Sequence, residues 1–275
     1  MDYAIRLGEE RDIPELCEIW KVCFCDNEDY VRFFYRENRG QVTTTVYTVD
    51  DKPVSMLHWF NVTFVNGDER LKAKYLYAGG SLPEYRRNGY YGTLIRYVED
   101  YAARNGYVLF GKPAMQSLIS YYRTYEFIPD ACFRLVSVSP EKEIPMKVRS
   151  VSPKEYNRMR NRAFRSHPYA EWPDGYVRYS IAENEFFGGR TIAVELGGEE
   201  HFLMGATKEN TLMITETDLS LSRLKEASGA LCALFMADRL KAYLPDYSCS
   251  EGEEIVSSVA YHAPLCNTYV NLLLI

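Results

Sequence analysis

The chain has 275 residues, of which 47% are hydrophobic and 25% charged, and its formal net charge is −6. That length suits two compact domains, and the acidic balance argues against nucleic-acid binding while mildly favouring a cationic or amine substrate. No secretory leader opens the sequence, no apolar run is long enough for a membrane span, and seven scattered cysteines without a Cys-x-x-Cys pair fit reduced thiols in a cytoplasmic protein.

Residues 3–7 alternate as a short strand. Asp12 then opens a helix with Pro14 and Glu15 in its first turn, and Ile13, Leu16, Cys17, Trp20 and Phe24 recur at helical spacing. The acidic run Asp26-Asn27-Glu28-Asp29 breaks that helix and leads into a second, near 29–37. β-Branched residues mark a strand at 42–49. A long strand follows at 54–65, with Met56, His58, Phe60, Val62 and Phe64 on one face. Asn66-Gly67 signals a hairpin into a strand at 71–81 that ends in Ala78-Gly79-Gly80-Ser81. A helix from about Tyr90 to Asn105 buries Leu94, Ile95, Val98 and Ala102. A short strand at 107–110, a helix around Met115–Tyr125 and a strand at Cys132–Ser139 complete this half.

The polar, proline-bearing stretch Pro140–Pro145 reads as a boundary between domains at 1–140 and 146–275. The second half begins with a strand at 146–151 and a helix, capped by Ser152, that runs to about Phe164. An irregular stretch from His167 to Asp174 precedes strands near 190–196, 200–207 and 211–217. Ser222 caps a long helix, and strands near 246–250, 257–262 and 269–274 close the chain. The order of helix, antiparallel strands and helix thus occurs twice, which points to a divergent structural duplication.

The strand–turn–helix at 75–104 carries the most chemistry. A pyrophosphate needs inward backbone N–H groups and a positive field, and a glycine-rich entry to a helix supplies both. Arg86 and Arg87 add charge beside that entry. The run Pro83-Glu84-Tyr85-Arg86-Arg87-Asn88-Gly89 resembles the acetyl-CoA loop of GNAT acetyltransferases, whose pattern is Arg/Gln-x-x-Gly-x-Gly/Ala. Arg86 and Gly89 match; Tyr91 stands at the second small position, and Gly92 follows it. A second GNAT marker, aromatic-Tyr-x-x-x-Gly-Phe, is matched by Tyr121-Tyr122-Arg123-Thr124-Tyr125-Glu126-Phe127, with Glu126 in place of the glycine.

The resemblance covers the order of elements over residues 3–139. It implies an α/β, or α+β, fold: a mixed, mostly antiparallel sheet flanked by helices. A second, degenerate GNAT-like domain then lacks the loop. The tandem layout is similar to the enhanced-intracellular-survival group of acetyltransferases. That group usually carries a further sterol-carrier-like domain, which is not expected within these 275 residues, so its substrates are not carried over.

The resemblance also assigns roles. Gly79 and Ser81 would offer backbone groups to a thioester, and Arg86, Arg87, Asn88, Gly89, Tyr90, Tyr91 and Gly92 would surround the cofactor phosphates. Tyr122 matches the tyrosine that protonates the departing thiolate. From the residues themselves, His58 is the candidate general base, and Asp26, Glu28 and Asp29 form an acidic loop able to hold a cationic amine. No metal is expected, because Cys23-x-Cys25 lacks a second ligand pair and His167, His201 and His262 fall at no metal spacing.

The matching junction of the second half, Glu216-Thr217-Asp218-Leu219-Ser220-Leu221-Ser222, has neither glycine nor arginine. One acetyl-CoA per chain is therefore expected. The reading that follows is transfer of an acetyl group to a primary amine of a small molecule or peptide, with no nucleic-acid or membrane partner and homo-oligomerisation left open. An acyl-CoA-binding module without turnover is the alternative. An aminoacyl-tRNA donor is disfavoured by the acidic balance.

Overall fold

The computed structural model describes residues 2–141, 144–261 and 268–272. The expected positions of His262, Cys266 and the end of the last strand lie outside the described residues. The elements run β1 (Tyr3–Leu7), α1 (Ile13–Phe24), α2 (Glu28–Glu37), β2 (Thr43–Val49), β3 (Lys52–Asn66), β4 (Glu69–Ser81), α3 (Tyr90–Asn105), β5 (Val108–Gly111), α4 (Ile119–Arg123) and β6 (Phe127–Val138). They continue with β7 (Lys147–Ser150), α5 (Pro153–Phe164), β8 (Tyr169–Glu171), α6 (Asp174–Phe186), β9 (Arg190–Leu196), β10 (Glu199–Lys208), β11 (Thr211–Thr217), α7 (Leu221–Phe235), β12 (Arg239–Pro245) and β13 (Glu253–Tyr261).

Contacts divide the chain into two units that are not consecutive in sequence. The first holds Met1–Thr63, Leu71–Ile128 and Val259–Ala263; the second holds Phe64–Arg70, Pro129–Ser258 and Pro264–Ile275. The polar stretch at 140–145 lies inside the second unit's long segment.

In the first unit the strands lie in the order β1-β2-β3-β4-β5. β1, β2 and β3 pair antiparallel, and β4 pairs parallel with β5 from Ala73↔Val108 to Leu76↔Gly111. A parallel pair needs a crossover, and α3 provides it. The outer side of β5 is closed by the end of β13, Val259↔Gly111 to Tyr261↔Leu109. A core of Leu57, Trp59, Leu76, Leu94, Ile95, Val98, Leu109 and Phe127 seals α3 onto this sheet. In β3, Pro53 to Phe60 are buried without a break. The one-face reading of that strand therefore gives way to a central strand covered on both sides, which favours a continuous apolar run over alternation.

The second unit orders its strands β6-β12-β11-β10-β9-β7. β11 and β12 pair parallel, Thr211↔Arg239 to Ile214↔Ala242, and α7 makes the crossover. The pairs β12–β6, β10–β11, β10–β9 and β7–β9 are antiparallel. Each unit thus contains antiparallel strands followed by one parallel β–α–β step, the arrangement expected of a duplication.

Several elements differ from the sequence reading. Helix α6 was not anticipated. Its buried residues Tyr176, Val177, Tyr179, Ser180 and Ile181 are nearly contiguous, so no clean stripe at helical spacing marks it. The helix expected at 115–125 is a short turn, Gln116–Leu118, followed by α4. α7 begins two residues earlier than expected, because Ser220, not Ser222, accepts the cap bond from the Arg223 amide. The strand expected near 246–250 lies at β12. There Leu240, Ala242 and Leu244 are buried, while Arg239 and Lys241 face solvent.

The second unit also contains a buried ion pair. Arg160 and Glu216 are both fully inaccessible, with Arg160 Nε donating to Glu216 Oε1 at 2.8 Å. Arg160 Nη1 donates to the Ala170 carbonyl, and Tyr156 donates its hydroxyl to Glu216 Oε2 at 2.8 Å. Burial pushes the Glu216 carboxyl up, while Arg160 and Tyr156 pull it back. Removing one charge leaves the other desolvated, which typically costs 3–5 kcal/mol. Glu216→Ala should therefore destabilise the protein by about that amount in urea denaturation. A loss below about 1 kcal/mol would show that Arg160 finds solvent or another partner.

Candidate functional site

β4 ends beside the start of α3, and the connection between them builds the site. Leu82 is tied to β3 by its amide, which donates to the Val54 carbonyl at 3.0 Å. A short turn, Pro83–Tyr85, follows. The loop then reverses through two left-handed residues, Arg87 (φ 66°) and Gly89 (φ 78°). Gly89 suits this conformation because it has no Cβ, and Arg87 adopts it at a local cost of about 1 kcal/mol. Gly89 is the N-cap of α3, and no side chain caps the helix. The first amides of α3 point into an exposed loop with a positive field, the arrangement that accepts a phosphate. Nothing within 4 Å would meet a Cβ at Gly89, so backbone conformation alone calls for glycine there.

Arg86 is exposed but anchored. Its Nε donates to the Ser81 carbonyl at 3.1 Å, and its Nη2 lies 3.8 Å from Cys23 Sγ. It therefore clasps the loop to the end of β4 as well as adding charge. Arg87, Asn88 and Gly89 are exposed and Tyr90 half-buried, with Asn88 Nδ2 donating to the Tyr85 carbonyl at 3.3 Å. Ser81 is buried and donates its hydroxyl to Ser55, which donates in turn to the Gly80 carbonyl.

The end of β4 is irregular, at a position the sequence reading did not single out. Ala78 has φ 44°, whereas neither Gly79 nor Gly80 has a positive φ. The two glycines serve close packing. A Cβ at Gly79 would lie 2.4 Å from the Tyr91 ring and hydroxyl, and one at Gly80 would lie 2.6 Å from Cys23 Sγ. Tyr91 thus packs on the strand end. Gly92 is likewise not a loop residue open to a cofactor: it is buried, and a Cβ there would lie 2.1 Å from the Tyr125 hydroxyl.

Tyr122, on α4, is half-buried, and its hydroxyl lies 3.4 Å from that of Tyr91. Burial raises the Tyr122 phenol above its ordinary range, and the bond to Tyr91 offsets part of that rise. Tyr122 is therefore a protonated donor at neutral pH. Glu126, at the glycine position of the second marker, adopts φ 62°. The left-handed turn that glycine would supply is retained, at a cost of about 1–2 kcal/mol.

His58 does not sit on an open cleft, and this corrects its reading as a base. It is fully buried. Its Nδ1 lies 3.1 Å from the Ala78 carbonyl, which can only accept, so Nδ1 carries the hydrogen and Nε2 accepts from the Tyr35 hydroxyl at 3.0 Å. Trp20 and Phe34 pack edge-on against the ring. Burial lowers its pKa to about 4, against backbone bonding at Ala78 and Tyr77 that raises it. A neutral imidazole in this setting pins the irregular end of β4.

The acidic loop also has local structural explanations. Asp26 accepts from Trp20 Nε1 at 2.7 Å. Glu28 pairs with Arg32 at 2.6 Å, and both Glu28 and Asp29 lie in the first turn of α2, where carboxylates complement the helix dipole.

The corresponding junction of the second unit is built differently. Ser220 caps α7, Asp218 Oδ1 accepts from the Phe202 amide at 2.9 Å, and Glu216 is held in the buried ion pair. Capped and lined with carboxylates, this helix start is unsuited to a phosphate. Among the described residues no group of three or more His, Cys, Asp or Glu is placed to hold a metal, and no helix is long and apolar enough to cross a membrane.

Residues 4–129 match the family profile described as an acetyltransferase (GNAT) domain. That match assigns residues 4–129 to a GNAT domain. The chain's fold is shared by a conserved Enterococcus faecalis V583 protein described as a probable N-acyltransferase, with TM-score 0.73, 11% identity, and coverage of 94% of this chain and 72% of that one. It is also shared by a GCN5-related N-acetyltransferase from Kribbella flavida (TM-score 0.67, 17% identity, 94% and 71% covered). Eis1 from Mycobacterium abscessus is similar as well (TM-score 0.65, 12% identity, 94% and 73% covered). No protein of curated function matches the sequence. These likenesses cover residues of both units and show a shared fold, and the match over residues 4–129 supports acyl transfer in general.

The sealed state of His58 has a consequence for stability. Its folded pKa is depressed, so between about 6.5 and about 4 the unfolded chain binds a proton that the folded chain refuses. Stability therefore falls as pH drops through that window and levels off below it, by roughly 3 kcal/mol from this residue. Urea midpoints measured across the window should decline less steeply in His58→Gln than in the parent. Equal slopes would contradict the buried, neutral assignment.

Proposed function

We propose that the GNAT domain transfers an acetyl group from acetyl-CoA to a primary amine of a small molecule or peptide by direct attack. The observation that carries this reading is the α3 N-terminus: it is capped only by Gly89, entered through an exposed two-arginine loop, and placed beside the irregular end of β4. The residues present fit a CoA pyrophosphate, because backbone amides, charge and a Cβ-free approach converge there. Arg87, Asn88, Gly89 and Tyr90 would hold the phosphates, Arg86 would fix the loop, and backbone groups of Gly79 to Ser81 would orient the thioester.

In this reading the amine attacks the carbonyl carbon, the C–S bond breaks, and the amine's proton leaves to solvent. Tyr122 gives its proton to the departing sulfur and recovers one from solvent. Tyr122 needs no lowered pKa for this, since the task requires the protonated phenol. The second half, 146–275, supports the fold of the enzyme and binds no second CoA, because Ser220, Asp218 and Glu216 already occupy the matching junction. A second reading, acyl-CoA binding without turnover, draws on the burial of His58, which removes the candidate base.

Tyr122→Phe keeps the ring and its contact with Phe127. It should lower single-turnover acetyl transfer by on the order of 10²- to 10⁴-fold while leaving acetyl-CoA affinity nearly unchanged. A change within about twofold would remove Tyr122 from the chemistry. Binding of acetyl-CoA without turnover across a broad panel of amines would favour the second reading.

A further inference from the structure

The GNAT loop pattern has a small residue where this chain has Tyr91, and the structure gives that departure a use. Tyr91 does not project into solvent. Its ring lies on the backbone of Gly79, closely enough that a Cβ there would come within 2.4 Å of it. Tyr121 stacks with it, ring centroids 6.2 Å apart and planes 14° from parallel. Packed against the strand end and against Tyr121, the Tyr91 ring is restricted in rotation, which limits where its hydroxyl can lie. The group it reaches is the Tyr122 hydroxyl, 3.4 Å away.

Two adjacent hydroxyls share one bond, and its direction matters. A phenol that is to give its proton to a substrate sulfur must aim that proton outward, so its oxygen has to accept from its neighbour. If the bond ran the other way, the Tyr122 proton would point at Tyr91 and away from the thioester. The separation is long for O–H···O, which leaves room for contraction. Once Tyr122 has lost its proton, the acceptor is an anion, and bonds to charged oxygens are shorter and about twice as strong. Catalytic hydrogen bonds are often long before the reacting complex forms.

We propose that Tyr91 is a positioning residue: it donates its hydroxyl hydrogen to the Tyr122 oxygen, which aims the Tyr122 proton at the departing thiolate and stabilises the phenolate left behind. The inference rests on the acyl-transfer reading of Tyr122. The proton count closes without Tyr91 ionising: Tyr122 loses one proton to sulfur and regains one from solvent, and Tyr91 keeps its own throughout. The pairing also explains the glycine at position 79, since any side chain there would displace the ring that carries the donor. The balance at Tyr122 agrees with this direction, because burial raises its pKa and the bond from Tyr91 lowers it.

The test is a double-mutant cycle of Tyr91→Phe and Tyr122→Phe in single-turnover acetyl transfer, with acetyl-CoA affinity measured in parallel. Tyr91→Phe keeps the ring on Gly79 and should slow transfer on the order of tenfold with affinity unchanged. It should cause no further loss when Tyr122 is already Phe. Additive losses, or a loss expressed in affinity, would make Tyr91 a packing residue and overturn the proposal. If Tyr122→Phe itself had no effect, the failure would belong to the acyl-transfer reading. A second measurement needs no acceptor amine: a fluorinated tyrosine placed at position 122 reports its own ionisation by ¹⁹F NMR. Its titration midpoint should rise when Tyr91 becomes Phe, and an unchanged midpoint would refute the bond whatever the enzyme's substrate.

Discussion

Everything proposed for this protein depends on how one helix begins. The amides at the start of α3 need partners, and most helices provide them with a serine, threonine, aspartate or asparagine at the N-cap. Here the N-cap is Gly89 in a left-handed conformation, with no side chain to offer. The loop before it is clasped to the end of β4 by Arg86 and turned by Arg87, so the helix start faces outward with positive charge around it. In the second unit the same crossover has the opposite solution: Ser220 caps α7, and carboxylates line the junction. Two β–α–β steps with the same parallel pairing thus differ in electrostatics.

A second constraint is one of size. Three glycines around the junction are each matched to a close side chain: Gly79 to Tyr91, Gly80 to Cys23, and Gly92 to Tyr125. None of the three has a positive φ. They are places where backbone is approached by a side chain, so a methyl group would force a tightly packed region apart. The left-handed positions fall elsewhere, at Ala78, Arg87, Gly89 and Glu126. Glycine content and backbone strain are therefore largely uncoupled in this site, and His58, bonded to the Ala78 carbonyl and buried among aromatic rings, holds the strained strand end in place.

This separation explains what could be read from the sequence. The strand–loop–helix was legible because Arg86, Gly89 and the periodic Leu94, Ile95 and Val98 follow local rules. The domain's first strands and helices were legible for the same reason. Helix α6 was not, since its buried face includes Ser180 while Phe186 is exposed, so residue type does not track burial along it. The role of His58 was hidden because its partners, Tyr35 and Ala78, lie 23 and 20 residues away in sequence. A histidine mid-strand looks the same whether it lines a cleft or seals a core. The packing of Tyr91 on Gly79 is likewise a tertiary fact. Its only trace in the sequence is a large residue at a position that usually takes a small one.

The central claim is that a single CoA pyrophosphate is held at the α3 N-terminus. A crystal structure of the protein soaked with CoA tests it most directly. The account predicts one molecule per chain, its pyrophosphate against the amides of Gly89 to Tyr91 and its sulfur near the Tyr122 hydroxyl. A pyrophosphate at the start of α7, or CoA bound with its sulfur remote from Tyr122, would contradict it.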